Sequence, residues 1–511
     1  MEQFMKVLVL VISYLEAVTI LTKKELVLVH LLTLSCFLVL FTFKSSPIFK
    51  QESAYLVDFS CFKLPNVSKT PTSLYIEHAR LFEFWDEETV SFIENMLRIS
   101  GLGEETHLPP SLHYIPPGSS HKDAIEEAHM SLFSAFNDVL MKTKLSPFDI
   151  DILIVNCSGF CPIPSLSDII INKFSLREDV KCFNLSGMGC TAGLMGMDMA
   201  QNIMKTHPNS NAVIVSTEIL STGWYSGRNR SMMLLNCTFR WGASAVLISN
   251  KKKYRNTAKY ELLLTLRNQR AFDDTGYYKA YREEDSEGLT GFTVKKEVFE
   301  ALKETVRSNV TILALSILPL REIVLYGVSL FYRNFIHRNS EIYVPNFKTA
   351  IQHFCLVPSG KPIIKVTAEV LKLGEVYTEP AMMTLHRFGN QSSSSIWYEL
   401  AYMEAKERVK PGDKIWQLAV GSGPKCISLI WKCNRIIAGD EAQIGPWADT
   451  IDNYPILNNE SNGVCTVKNN MYPMAKPESL APEMDKKDMI LMDMVKLLKR
   501  IKLLQGGREG L

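Results

Sequence analysis

No CxxC pair occurs among the eleven cysteines, at 36, 61, 157, 161, 182, 190, 237, 355, 426, 433 and 465, and the ten histidines do not cluster beside them. That spacing speaks against a zinc site, and no other metal or bound cofactor is implied. Charge of one sign is also missing. Lys and Arg total 56, Asp and Glu 54, leaving +2, too weak a field to argue for nucleic acid as a partner. No internal repeat is visible. An odd number of cysteines spread through apolar segments fits reduced thiols on the cytosolic side of a membrane.

Long apolar runs are present at the N-terminus. Residues 4–21 (FMKVLVLVISYLEAVTIL) and 26–43 (LVLVHLLTLSCFLVLFTF) are of about the minimum spanning length, separated by Thr22, Lys23, Lys24 and Glu25. No small-residue cleavage site follows the first run. The pattern predicts a two-pass transmembrane hairpin within 1–50 with both ends on one side. Lysines in the loop and beyond it (Lys44, Lys50) leave that side open.

From Tyr55 to about Tyr454 short apolar runs alternate with helical spacing. AIEEAHMSLFSAFNDVLMK (124–142) and IWYELAYMEAKERV (396–409) read as helices, as do the ten residues after Ala192. DIDILIVN (149–156), KCFNL (181–185), AVIVST (212–217) and ASAVLIS (243–249) read as buried strands. KIWQLAV (414–420), GSG (421–423) and KCISLIW (425–431) read as two strands around a tight loop. Residues 251–310 are polar and predict a cap or insertion. After 456 the core pattern stops. In that tail, 489–504 (MILMDMVKLLKRIKLL) is a basic amphipathic helix, able to lie on a membrane, pack on a partner or dock on its own domain.

The stretch NLSGMGCTAG (184–193) places Cys190 where a strand turns into a helix. Helix N-terminal N–H groups and the helix dipole favour a thiolate there. Small residues around it let a substrate approach and let N–H groups face a carbonyl oxygen. A buried inert cysteine beside a glycine turn is the other reading of this spacing.

Further landmarks are YLVDFSCFK (55–63), SGLGEETHLP (100–109), NCSGFCPIPSLS (156–167), FNLSGMGCTAG (183–193) and STEILSTGWYSGRNRSM (216–232). NCTFRWGASAVLISN (236–250), VPNFKTAIQHFC (344–355), TLHRFGNQSSSSIWYELAY (384–402) and GSGPKC (421–426) continue them. In these the chain resembles the plant 3-ketoacyl-CoA synthases, condensing enzymes of very-long-chain fatty acid elongation, over roughly residues 1–435. The resemblance implies an α/β fold with a thiolase-like duplicated αβαβα core behind the membrane hairpin. Its halves fall at 51–340 and 341–455, followed by the tail 456–511. It also implies an endoplasmic-reticulum membrane with a cytosolic catalytic domain, acyl-CoA and malonyl-CoA as substrates, and a homo- or heterodimer with another such synthase beside other elongase subunits.

The family reaction moves an acyl group from CoA to a cysteine, and malonyl-CoA then loses carbon dioxide and attacks the thioester as its enolate. A nucleophilic thiolate is needed, with donors for the enolate oxygen that the family supplies as one histidine and one asparagine. Cys190 matches the nucleophile and Asn390 the asparagine. Gly421, Ser422 and Gly423 match the loop that would hold the thioester oxygen, with Pro424 where the family usually has phenylalanine. The family pattern HFC, apolar, His, Ala, Gly, Gly is HFCLVPSG (353–360) here. The catalytic histidine is thus replaced by Val357, and a second family histidine by Gln269. His353 matches the first histidine of the pattern, but along a strand it would stand about 13 Å away at ~3.3 Å per residue. His386, four residues before Asn390, is the other candidate base. Three readings follow: a weakly active or inactive member acting through a partner synthase, an active synthase using another base, or an acyl-CoA binding or acyl-transfer protein.

Overall fold

The structure is a computed structural model that describes residues 54–456, save 334–336, 440 and 442–443. The expected hairpin of 1–50 and the helix 489–504 lie outside the described residues. Among the described residues no helix is long and apolar enough to cross a membrane.

Among the described residues eleven strands carry the fold: β1 (Tyr55–Cys61), β2 (Ile152–Asn156), β3 (Lys181–Leu185), β4 (Asn211–Thr217), β5 (Ala243–Ser249), β6 (Tyr260–Gln269), β7 (Ala280–Glu284), β8 (Thr290–Val294), β9 (His353–Leu356), β10 (Lys414–Gly421) and β11 (Lys425–Cys433). Nine form one sheet in the order β3-β2-β4-β5-β1-β6-β11-β10-β9, and β7 pairs only with β8. In one half β2 runs parallel to β4, while β4, β5 and β1 are antiparallel neighbours. In the other half β9 runs parallel to β10, while β10, β11 and β6 are antiparallel neighbours. The same pattern therefore occurs twice, joined where β1 meets β6 at Tyr55–Glu261 and Leu56–Tyr260.

Alternation along the strands feeds two cores, because successive side chains leave opposite faces of a sheet. Ile152, Ile154, Ala212 and Ile214 face one core with Met197 and Ala200. Leu153, Val155, Val213 and Val215 face the other with Leu132, Ala135 and Phe136. The helices behind these faces are α1 (His121–Thr143) and α2 (Ala192–Met204). A capping box between Ser120 and Asp123 starts α1.

The segment 251–310 departs from the expected cap. β6 lies inside the sheet, and α3 (Val298–Ile317) buries Leu302, Val306, Val310 and Leu313. Only the part around β7 and β8 stands off the sheet. Beyond α3 come α4 (Leu320–Phe331), α5 (Glu375–Phe388) and α6 (Ser395–Ala405).

Candidate active site

A turn of 3-10 helix, Gly189–Thr191, carries Cys190 between the end of β3 and the start of α2. The tight β10–β11 turn packs directly against it. A Cβ at Gly189, whose φ is +59°, would stand 2.9 Å from both the nitrogen and the hydroxyl of Ser422. One at Gly421 would stand 2.6 Å from the Met188 carbonyl oxygen. Glycine at both positions lets the two backbones touch, which is why the GSG turn and the GMGC stretch meet. The Gly189 N–H donates to Ser158 Oγ at 2.9 Å.

Asn390 follows the end of α5 and is 1% exposed. Its Nδ2 donates to the Ser359 carbonyl at 3.1 Å, and its Oδ1 accepts the Ser392 N–H at 2.9 Å. The backbone of Asn390 is pinned on both sides, its N–H donating to the Thr238 carbonyl and its carbonyl accepting the Arg240 N–H. The hydroxyls of Ser359 and Ser392 face the Cys190 sulfur. Ser359 Oγ is buried and has no hydrogen-bond partner among the described residues. Ser392 Oγ donates to Glu218 Oε2 at 2.9 Å. The other Glu218 oxygen accepts the N–H of Gly159 at 2.7 Å and of Ser158 at 3.1 Å. Ser392 therefore stands between the surroundings of the thiol and a buried carboxylate.

Electrostatics reverse one expectation. Burial pushes the Cys190 thiol above its ordinary range. The two serine hydroxyls pull it back, and Glu218 raises it further. The helix N-terminal position alone predicts a favoured thiolate, but at 9% exposure desolvation outweighs that advantage. Burial also raises the Glu218 carboxyl, against the N–H and hydroxyl donors that favour its ionised form.

The remaining candidates fall as follows. Val357, 2% exposed, directly follows β9, and its N–H donates to the Leu418 carbonyl at 3.1 Å. Its carbonyl accepts the Ser359 N–H at 2.7 Å, which places Val357 beside the serine that faces the sulfur. His353 begins β9 opposite Ile415, with Nε2 2.8 Å from Asp413 Oδ2. The site turn at Gly421 lies six residues further along β10, about 20 Å at ~3.3 Å per residue, so His353 is not brought to the thiol. His386 sits in the last turn of α5, with Nδ1 3.0 Å from the Tyr454 hydroxyl. Its ring packs so closely on Gly103 that a Cβ there would meet Cε1 at 2.3 Å. Burial lowers its pKa, and among the described residues its hydrogen-bond partner is Tyr454, not Cys190. Gln269 ends β6, exposed and opposite Lys425. Gly423 has φ +63°, and the Lys425 ammonium closes the turn on the Ser422 carbonyl at 3.1 Å. Pro424 packs against Gly276, and its carbonyl accepts the Arg270 N–H. Among the described residues no group of three His, Cys, Asp or Glu could hold a metal ion.

Ser359, Ser392 and Glu218 are the residues that sequence reasoning passed over. Two signals were present: a run of four serines beginning two residues after the asparagine, and a carboxylate directly after the apolar strand β4.

A nucleophile turn, a glycine turn against it and an asparagine on a duplicated sheet define a thiolase-like condensing-enzyme fold. Solved structures agree. A fungal type III polyketide synthase, ORAS, superposes with a TM-score of 0.59 at 15% identity, over 74% of this chain and 99% of its own. A type III pentaketide synthase from Neurospora crassa gives 0.58 at 15%, over 74% and 99%. The family model described as FAE1/Type III polyketide synthase-like protein matches residues 47–335, and that of the 3-oxoacyl-[acyl-carrier-protein] synthase III C terminal matches 348–433. From Arabidopsis thaliana, 3-ketoacyl-CoA synthase 6 is 46% identical over 80% of this chain and 82% of its own, and 3-ketoacyl-CoA synthase 5 is 44% identical over 86% and 89%. The chain belongs to the 3-ketoacyl-CoA synthase family of fatty acid elongation.

Proposed function

We propose that this family member takes an acyl group from acyl-CoA on Cys190, condenses it with malonyl-CoA only weakly by itself, and acts through a partner synthase at the endoplasmic-reticulum membrane, its catalytic domain in the cytosol. The observation that carries the reading is Val357. A buried apolar side chain stands at the position the family pattern gives to histidine, and the groups that act on the thiol are two hydroxyls and a carboxylate, not an imidazole. Valine offers no donor, acceptor or charge. A positioned acid/base group is worth about 10²–10⁴ in rate, and an oxyanion donor about 10²–10³. Support for a partner comes from β3. It is an edge strand with Lys181 and Cys182 exposed, and beside it lies a cleft of about 480 Å³ whose lining is mixed, apolar at Leu185, Met188 and Met199 and polar or charged at Asp198, Asn202 and Arg267. A second synthase protomer could cover both.

The test is an elongation assay of the purified protein with long-chain acyl-CoA and labelled malonyl-CoA, alone and with a co-expressed synthase. Little product alone, with an altered output from the synthase that persists in Cys190→Ala, supports the reading. Turnover alone at the rate of an ordinary synthase overturns it. In that case Glu218 becomes the base, reached through Ser392: the thiol proton passes to Ser392 Oγ as the Ser392 hydroxyl proton passes to Glu218 Oε2. Glu218→Gln would then abolish turnover.

A further inference from the structure

α4 carries apolar side chains on two faces. Towards the domain it turns Glu322, Ile323 and Ser329, and Ile323 packs against the hydrophobic core. Glu322 is buried and accepts the Tyr343 hydroxyl at 2.7 Å and the Asn346 N–H at 2.8 Å, while Ser329 Oγ accepts the Tyr343 N–H at 3.0 Å. Towards solvent it turns Leu320, Val324 and Val328, which are 67%, 51% and 59% exposed and stand at i, i+4 and i+8, with Leu325 and Tyr332 beside them. An amphipathic helix on a water-facing surface puts its apolar stripe on the core. Here Ile323 meets the core beside the polar docking contacts, and a second apolar stripe is left towards solvent. Twelve residues rise about 18 Å at ~1.5 Å each, too short to cross a bilayer and suited to lying along one.

The charge around the stripe is one-sided. From 320 to 348 the described exposed cations are Arg321, Arg333, Arg338 and Lys348, against Glu341 as the one exposed acid among the described residues. Arg321 lies within the apolar stripe at the first turn, where its long stem can cover apolar surface while its head reaches outward. Next to α4, Lys348 and Lys372 line a cleft of about 530 Å³ together with Glu341, Tyr343, Val344 and Leu371, two cations against one acid. Apolar side chains to enter the acyl region and cations to meet phosphate are the two elements of an interfacial anchor on anionic lipid.

We propose that α4 lies in the surface of a bilayer containing anionic phospholipid, with Leu320, Val324 and Val328 among the acyl chains and Arg321, Arg333, Arg338 and Lys348 at the headgroups. This goes beyond an anchor supplied by the N-terminal apolar runs, because it fixes which face of the catalytic domain meets the membrane. The same contact would place a lipid reservoir against the face formed by α4 and the cleft beside it.

The test uses the full chain reconstituted into phosphatidylcholine vesicles with and without phosphatidylserine, and a phospholipid carrying a photoreactive group in its acyl chain. Labelled peptides are mapped by mass spectrometry. The 320–332 peptide should label several-fold more than the peptide holding Ile163, which is 97% exposed on a strand-to-helix connection and serves as the internal control. Phosphatidylserine should increase the difference. Val324→Glu with Val328→Glu should remove it, and Arg321→Gln, Arg333→Gln, Arg338→Gln and Lys348→Gln together should remove the phosphatidylserine dependence, the circular dichroism of each variant remaining that of the parent. Equal labelling of the two peptides overturns the proposal. So do cross-links from 320–332 to a second copy or to residues 4–43, which would make protein the cover of this face. The readout needs no turnover, so its failure is separable from failure of the elongation assay.

Discussion

Around the thiol, single side chains decide what chemistry is left. Val357→His should restore condensation in part, by replacing a side chain with no polar atom by a donor at the family position. Three things limit the gain. Ser359 and Pro358 depart from the Ala-Gly-Gly pattern, an Asn390 donor is already committed to the Ser359 carbonyl, and a ring added at a 2% exposed position strains its neighbours by about 1–3 kcal/mol. Labelled 3-ketoacyl-CoA formation measures it, and Cys190→Ala or Asn390→Ala in the same background should each abolish the gain. No change in rate would remove Val357 as the reason for weak turnover. The thiol itself is predicted to alkylate slowly at neutral pH, faster than Cys426 or Cys237, whose burial raises them strongly, but slower than exposed Cys161 and Cys182. Because Glu218 raises the Cys190 pKa, Glu218→Gln should move its alkylation profile to lower pH. Ser392→Ala, which removes a hydroxyl that lowers it, should move it to higher pH. A profile unmoved by both changes would show that the path through Ser392 does not reach the sulfur.

Elements were legible where apolar pattern and local spacing agree, and hidden where polar residues are satisfied from far away in the chain. The runs at 149–156, 181–185, 212–217 and 243–249 became β2 to β5, and the helical spacing of 124–142 became α1. β6 was hidden because the leucine run of YELLLTLRNQ stands between charged stretches in a segment that is polar as a whole, while its place in the sheet comes from β11, well over a hundred residues on. The serine run after Asn390 looks like a surface loop. It is buried because Ser392 meets Glu218 and Ser393 meets Asn156, pairings that no local pattern announces. α1 carries a similar long-range contact. The Glu127 carboxylate accepts the N–H of Leu220 at 2.7 Å and of Ser221 at 3.0 Å, holding the chain just beyond Glu218. Burial raises its pKa to about 7, from 4.5. Between those values the folded protein keeps a proton that the unfolded chain releases. Glu127 therefore contributes stability that is fully present below pH 4.5 and lost as pH rises through 7. A shift of this size corresponds to a loss of ~3 kcal/mol. Urea unfolding across that window should show the decline, and Glu127→Gln, which cannot ionise, should flatten it. An unchanged slope in the variant would assign the decline to another group.

Across the whole molecule the two halves share one sheet, and the seam between β1 and β6 is short. Lys259, just before β6, reinforces it. Its ammonium lies 2.9 Å from Asp58 of β1, 2.9 Å from Glu404 of α6 and 3.8 Å from Glu441, with its side chain 3% exposed. Glu404 also accepts the Tyr260 hydroxyl at 2.8 Å. Burial works against the charge on Lys259, but the two carboxylates outweigh it, so its pKa is raised and the ammonium stays charged. An intact buried cluster of this kind stabilises little on balance, whereas removing one member leaves charges buried without a partner. Lys259→Met strands Asp58 and Glu404 and should cost about 3–5 kcal/mol. Adding Glu404→Gln should return part of that loss, since one of the unpaired charges goes with it. Because the sheet is continuous across the seam, both halves should lose stability together. Fluorescence of buried Trp241 in the first half and of Trp416 and Trp431 in the second, each isolated by Trp→Phe changes elsewhere, should report one shared urea transition shifted to lower concentration. A loss below about 1 kcal/mol would reduce Lys259 to the weight of a surface pair. Two separated transitions would show instead that the halves unfold independently and that the seam does not couple them.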